Sequence, residues 1–185
     1  MKKKNSWILS AAVMLVLSVA VAYFSGMVYA AEAGKLDDPV EVSFTIDKTE
    51  EADISTTSAA DFNVISVQNA YDASGSLVAY IVESSAIGYN AEAPIVISSV
   101  ISADGTLLAY IDVLEQHETE YFGDRIMTDS FIERFDGRWL PVILTGETGK
   151  GAHVDALSKA TISTKAVLEA INNAHAFVNA EFVAA

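Results

Sequence analysis

Hydrophobic and polar positions change rhythm several times along the chain, and each change marks an element. From Trp7 to Ala31 a mostly apolar stretch runs without a charge. That length suits a helix crossing a bilayer, which needs about 20 such residues. Residues 40–46, Val-Glu-Val-Ser-Phe-Thr-Ile, alternate apolar and polar, which predicts a strand. Residues 47–61 are polar and read as loop. Two similar units follow: Ala-Ser-Gly-Ser-Leu-Val-Ala-Tyr-Ile at 73–81 and Ala-Asp-Gly-Thr-Leu-Leu-Ala-Tyr-Ile at 103–111. Each is a Gly-containing turn entering a β-rich run, and each is preceded by another apolar run, at 62–71 and 93–101. The pattern predicts two hairpins, with turns of two to four residues, in one antiparallel sheet.

Further on, Ile126, Phe131, Ile132 and Phe135 are spaced for a short amphipathic helix over 124–137, with Gly137 as its stop. Residues 138–144 predict a strand, and 145–153 a Gly-rich loop. From Thr164 onward Val167, Leu168, Ile171, Ala174, His175 and Val178 recur at helical spacing, with Ser163 or Thr164 as the capping hydroxyl. Strands followed by helices point to an α+β domain: an antiparallel sheet of hairpins with helices packed on it, preceded by one N-terminal transmembrane helix. The expected organisation is anchor at 1–31, linker and variable segment at 32–60, and domain at 61–185.

Charge sharpens this picture. Three lysines precede the apolar run, so the rest of the chain is expected outside the cytoplasm, on a single-pass inner or plasma membrane protein. A cleaved signal peptide ending before Ala31 is the other reading of the same segment, and it also exports the domain. Past residue 31, eight basic residues against 25 acidic ones leave −17. Such acidity disfavours nucleic acid and anionic membrane surfaces as partners. Basic residues are absent from Thr49 to Asp124, then Arg125, Arg134, Arg138, Lys150, Lys159 and Lys165 follow in 41 residues. Cysteine is absent, which excludes disulfides and thiol chemistry. The three histidines are scattered, and neither a metal site nor a catalytic group is assigned. Tyr80, Tyr110, Phe135 and Trp139 are expected to serve the core.

Candidate chemistry collects before the last helix. Asp155-Ala-Leu-Ser-Lys-Ala-Thr-Ile-Ser-Thr164 crowds hydroxyls and Lys159 where unpaired helix N–H groups favour an anion. This stretch resembles the flavin-attachment motif of the FMN-binding domain family, which includes the G subunit of the Rnf electron-transport complex and the C subunit of the sodium-pumping NADH:quinone reductase. Asp155, Ser158, Ala160 and Thr161 match, and Lys159 stands where the family has Gly. Residues 113–126 resemble the family's Glu-Thr-Pro-Gly-Leu-Gly loop through Glu118, Thr119 and Gly123, with Glu120, Tyr121 and Phe122 replacing Pro-Gly-Leu. Residues 87–105 resemble its Gly-Tyr-Gly-Gly-Pro lead through Gly88, Tyr89 and Pro94.

The resemblance implies an FMN site made by Tyr89, Glu118, Thr119, Gly123, Asp155, Ser158, Lys159, Ala160 and Thr161. It implies an FMN phosphoester at Thr161 where a flavin transferase acts, and noncovalent FMN otherwise. It also implies a membrane-anchored electron-transfer subunit of an ion-translocating oxidoreductase complex, not a stand-alone catalyst, partnered by other membrane subunits. The alternative from the altered motifs is a cofactor-free extracytoplasmic binding or scaffolding domain on the same fold.

Overall fold

Both hairpins form. The computed structural model describes residues 36–54 and 56–184. Strand β1 (Lys48–Glu51) and helix α1 (Thr56–Asp61) occupy the segment expected to be loop. Strands β2 (Val64–Tyr71) and β3 (Leu77–Ala86) make the first hairpin, and β4 (Ile95–Ser102) and β5 (Leu107–Glu115) the second. They lie in one antiparallel sheet in the order β1-β2-β3-β4-β5-β6, where β6 is Arg138–Trp139. The first turn, 72–76, is one residue longer than expected. Asp72 Oδ1 organises it by accepting the backbone N–H groups of Ser74 and Ser76, each at 2.9 Å. The side chain adds to the backbone turn bond from Gly75 N–H to the Asp72 carbonyl at 2.9 Å.

Two expected elements are split. Residues 124–137 form three short turns instead of one helix: a 3-10 turn at Gly123–Met127, α2 at Asp129–Ile132, and a second 3-10 turn at Glu133–Phe135. Thr128, extended at ψ 141°, breaks the run, and its hydroxyl donates to the Arg125 carbonyl at 2.7 Å. Ile126, Phe131 and Phe135 are still fully buried, so the apolar spacing is obeyed without helical continuity. The strand expected at 138–144 divides at Pro141, which has no N–H for a ladder. Its second half, β7 (Val142–Leu144), pairs in parallel with β8 (Ala152–Val154) as a separate small sheet.

Helix α3 (Thr161–Val178) starts three residues before the expected point and continues as a π-helical turn over Asn179–Val183. Val167, Ala170, Ile171, Ala174, Phe177 and Val178 bury one stripe against the sheet. Ser84 Oγ donates to the Ala170 carbonyl at 2.8 Å inside that contact. Tyr80 and Phe135 are buried as expected, with Tyr80 stacked on Phe182 at 4.7 Å. Tyr110 is exposed instead, because β5 alternates faces and its side chain falls on the solvent side.

Successive residues of a strand point to opposite faces, and the other face of this sheet is covered by residues 40–46. They run extended as the alternation predicted, but with no strand pairing of their own. Val42, Phe44 and Ile46 pack on Ala70, Ala79, Val100 and Ala109, whose small side chains leave a shallow bed. The strap is tied at both ends. Val40 N–H donates to the Gly137 carbonyl at 2.8 Å, and Asp47 N–H to that of Tyr71 at 2.8 Å. Asp37 Oδ1 accepts from the His153 backbone N–H and approaches His153 Nδ1, both at 2.8 Å. The His153 N–H is the main reason the Asp37 carboxyl is held below its ordinary range. The anchor or signal segment expected at 1–31 lies outside the described residues. Among the described residues, no helix is long and apolar enough to cross a membrane.

Candidate functional site

Three separate stretches of sequence meet at the N-terminus of α3. They enclose a cavity of about 440 Å³ lined by residues of the 89 region, the 118–123 loop and the 159–163 segment. Among the sequence-expected site residues, Tyr89, Glu118, Thr119, Gly123, Lys159, Ala160 and Thr161 line it. Phe122, Ile162 and Ser163 join them. Phe122 was legible as a loop position but not as a wall, because it occupies a place where the resemblance fails. Asp155 and Ser158 line a neighbouring cavity on the other side of the same loop.

Glu118 joins the three stretches. Its Oε2 accepts from Tyr89 N–H at 3.1 Å and from the Ser163 hydroxyl, and its Oε1 accepts from Asn90 N–H at 3.0 Å. Glu118 is only 9% exposed, and these donors satisfy its carboxyl oxygens in place of water. Two glycines make room. A Cβ on Gly88 would lie 2.4 Å from Glu118 Oε1, and one on Gly123 would lie 2.7 Å from Glu118 Cβ.

The hydroxyls at the start of α3 have different tasks. Helix α3 opens at Thr161 with Ala160 as N-cap, and no side chain caps it, so the expected Ser163 or Thr164 cap is not formed. Both residues already sit within the first turn. Thr164, fully buried, donates to the Ala160 carbonyl at 2.9 Å and accepts from Leu157 N–H at 3.1 Å, which fixes the preceding loop. Ser163 is bound to Glu118. Thr161 is exposed and lines the cavity. The N–H groups of residues 161–163 precede the first intrahelical bond, Thr164 N–H to the Ala160 carbonyl, and so have no partner in the helix ladder.

Both substituted glycine positions keep a glycine-like backbone. Tyr121 and Lys159 each have φ +66°, the left-handed region. An L side chain there costs about 1–2 kcal/mol, and the surrounding bonds hold it. Gly123 N–H donates to the Thr119 carbonyl at 2.9 Å, and Ala160 N–H to that of Leu157 at 3.0 Å. The Lys159 ammonium sits 5.9 Å from the centroid of the Phe122 ring, across the cavity mouth. It is the cation among the lining residues; of the other basic residues, Arg125, Arg134 and Arg138 line the neighbouring cavity, and Lys165 pairs with Glu147 at 2.7 Å.

Residues 88–176 match the sequence profile of the FMN-binding domain family. The G subunit of an ion-translocating oxidoreductase complex from Methanosarcina acetivorans is 37% identical over 110 residues, covering 60% of this chain and 56% of that protein. The chain thus spans little more than half the length of that curated relative. Among solved structures, NqrC of Shewanella oneidensis superposes with a TM-score of 0.55 at 21% identity, over 65% of this chain and 61% of the other. The C subunit of the Na(+)-translocating NADH-quinone reductase from Parabacteroides distasonis superposes with a TM-score of 0.56 at 20% identity, over 76% and 79%. These structural likenesses speak to the fold. With the motif fragments gathered on one cavity, the sequence match over residues 88–176 is to the FMN-binding domain family, which supports FMN as the cofactor.

Proposed function

We propose that this chain is a membrane-anchored, extracytoplasmic flavoprotein subunit that passes electrons within an oxidoreductase complex of the Rnf or Nqr type. The observation that carries this reading is the convergence of the three motif fragments on one cavity at the start of α3. A cavity of about 440 Å³ falls within the range of about 300–1,000 Å³ common for cofactor sites.

The residues suit FMN group by group. Backbone N–H groups of 161–163 and the Lys159 ammonium offer a phosphate both hydrogen bonds and charge. Thr161 presents its hydroxyl at the same place, as the attachment point where a flavin transferase acts. Tyr89 and Phe122 supply aromatic and apolar surface for a ring system. Glu118 holds the walls together without spending its carboxylate on the ligand, since three protein donors already occupy it. FMN, when bound, supplies the redox chemistry, and the protein supplies position and electrostatics. The acidic surroundings leave anion binding to basic mouths such as this one.

Two experiments test this reading. Lys159→Glu is expected to weaken noncovalent FMN binding by at least tenfold and to flatten its salt dependence, because a charge contact to the phosphate is replaced by repulsion. Equal affinity of both forms in a fluorescence titration, at two salt concentrations, removes Lys159 from the phosphate site. For topology, a protease added to cells with a permeabilised outer layer is expected to digest the domain while the inner membrane is intact. Full protection until that membrane is lysed contradicts the extracytoplasmic assignment. An N-terminus found at Ala31 replaces the anchor by a cleaved leader. A native extract without FMN in either bound form returns the cofactor-free binding domain as the better reading.

A further inference from the structure

The sequence contains three arginines, Arg125, Arg134 and Arg138, and all three line one cavity of about 740 Å³. They come from three elements: the first 3-10 turn, the second 3-10 turn and β6. The cavity shares no lining residue with the flavin site, from which the 155–160 loop separates it.

Each guanidinium is held by backbone carbonyls. Arg134 Nε donates to Ser130 O at 3.1 Å and its Nη1 to Asp155 O at 2.9 Å. Arg138 Nε donates to Arg134 O at 2.8 Å and its Nη1 to Asp37 O. Arg125 Nη1 reaches Ser158 O at 3.5 Å. These bonds use at most two of the five N–H donors on each guanidinium. Among the described residues, no carboxylate forms an ion pair with any of the three. Two carboxylates are near. Asp155 lines the cavity, and Asp37 lies within electrostatic range of Arg138, but its Oδ1 is engaged by His153. In a chain with more than twice as many acidic as basic residues, three converging guanidiniums without an ion-pair partner stand apart.

We propose that this arginine cavity is a second anion site, which takes a phosphate group and is separate from the flavin pocket. Three planar forks contributed to one cavity by three elements match the several oxygens of a tetrahedral phosphate better than the two of a carboxylate. Backbone anchoring fixes the forks in advance, so binding costs little side-chain entropy. The cavity volume leaves space for a substituent on the phosphate, whether the group belongs to a soluble phosphomonoester or to a lipid headgroup.

The test uses the full chain in detergent, titrated calorimetrically with inorganic phosphate at constant ionic strength. With the flavin pocket filled by FMN, saturable binding is expected, weakened at least tenfold in Arg125→Gln and unchanged in Lys165→Gln. Arg125 has the weakest backbone bond of the three, so its loss leaves the fold in place; circular dichroism checks this. A second arm measures co-sedimentation with vesicles of phosphatidylcholine containing phosphatidic acid. Arginine-dependent sedimentation without saturable phosphate binding places the phosphate on a lipid. Arginine-dependent phosphate binding alone places it on a soluble ligand. Failure of both arms, or binding that is kept in Arg125→Gln, overturns the proposal. FMN retention by the wild-type protein is read separately from flavin fluorescence, so failure of this proposal and failure of the flavin reading are distinguishable.

Discussion

Thr161→Ala is expected to abolish all flavin fluorescence that survives denaturation when the protein is co-expressed with a flavin transferase, while Thr161→Ser retains it. Exclusion among four hydroxyls singles this residue out. Ser163 is bound to Glu118, and Thr164 is enclosed between Leu157 N–H and the Ala160 carbonyl. Ser158 faces the arginine cavity. Thr161 alone of the four is exposed on the flavin cavity, beside the unpaired N–H groups of the first turn. Alanine at an exposed first-turn position should change stability by less than about 0.5 kcal/mol, so lost fluorescence would report lost attachment and not unfolding. Lys159→Gly is expected to raise the covalent yield and to stabilise the protein by about 1 kcal/mol, since it relieves a side chain at φ +66°. Peptide mass locates the adduct. Covalent flavin persisting in Thr161→Ala moves the attachment elsewhere. A lower yield in Lys159→Gly means that Lys159 assists the modification instead of obstructing it.

Gly137→Ala should produce the largest loss of stability of any single methyl addition considered. Gly137 sits at φ +62°, and a Cβ there would lie 2.0 Å from the Val40 carbonyl oxygen. Two backbone bonds fix its position, its N–H to Ala109 O at 3.0 Å and its carbonyl from Val40 N–H at 2.8 Å. The obstacle is therefore main chain on both sides and cannot rotate away. The left-handed backbone costs about 1–2 kcal/mol, and forced overpacking adds about 1–3 kcal/mol. Together they lower Tm by roughly 5–15 °C for a domain of this size. The cheaper response is release of the strap, which exposes Val42, Phe44 and Ile46 and the small-residue bed beneath them. Thermolysin should then cut between residues 36 and 47 under conditions that leave the wild type intact. A Gly137→Ala protein that melts within a degree of wild type and resists cleavage there would show that the strap can shift without loss.

Much of the architecture was legible from period alone. Alternation over the two echoed units, closed by Asp- and Gly-containing turns, specifies hairpins because a strand exposes opposite faces in turn and a short polar turn leaves antiparallel pairing as the nearest partner. The apolar stripe from Val167 to Val178 specifies α3 for the corresponding reason at period 3.6. The motif fragments pointed to a flavin only through their resemblance to the FMN-binding domain family. Local pattern was silent where tertiary contact decides. Residues 124–137 have helical spacing, yet Phe131 and Phe135 are buried equally well from broken turns, so burial did not require a continuous helix. Residues 40–46 alternate like a strand, but their partner is a sheet face and not a sheet edge.

The division is clearest at the site. Sequence alone determined that hydroxyls and a lysine gather at the start of a helix, because dipole effects act within one turn. Which hydroxyl stays accessible depended on Glu118, 45 residues upstream of Ser163, and on the burial of Thr164. That Tyr121 and Lys159 adopt a left-handed, glycine-like backbone also depended on the fold. The bonds from Thr119 and Leu157 impose a backbone that neither residue prefers, and a sequence names the residue but not the φ that its neighbours enforce. The meeting of all three arginines in one cavity belongs to the tertiary structure for the same reason. Spacings of nine and four residues in sequence carry no common face until broken turns and β6 bring the side chains together.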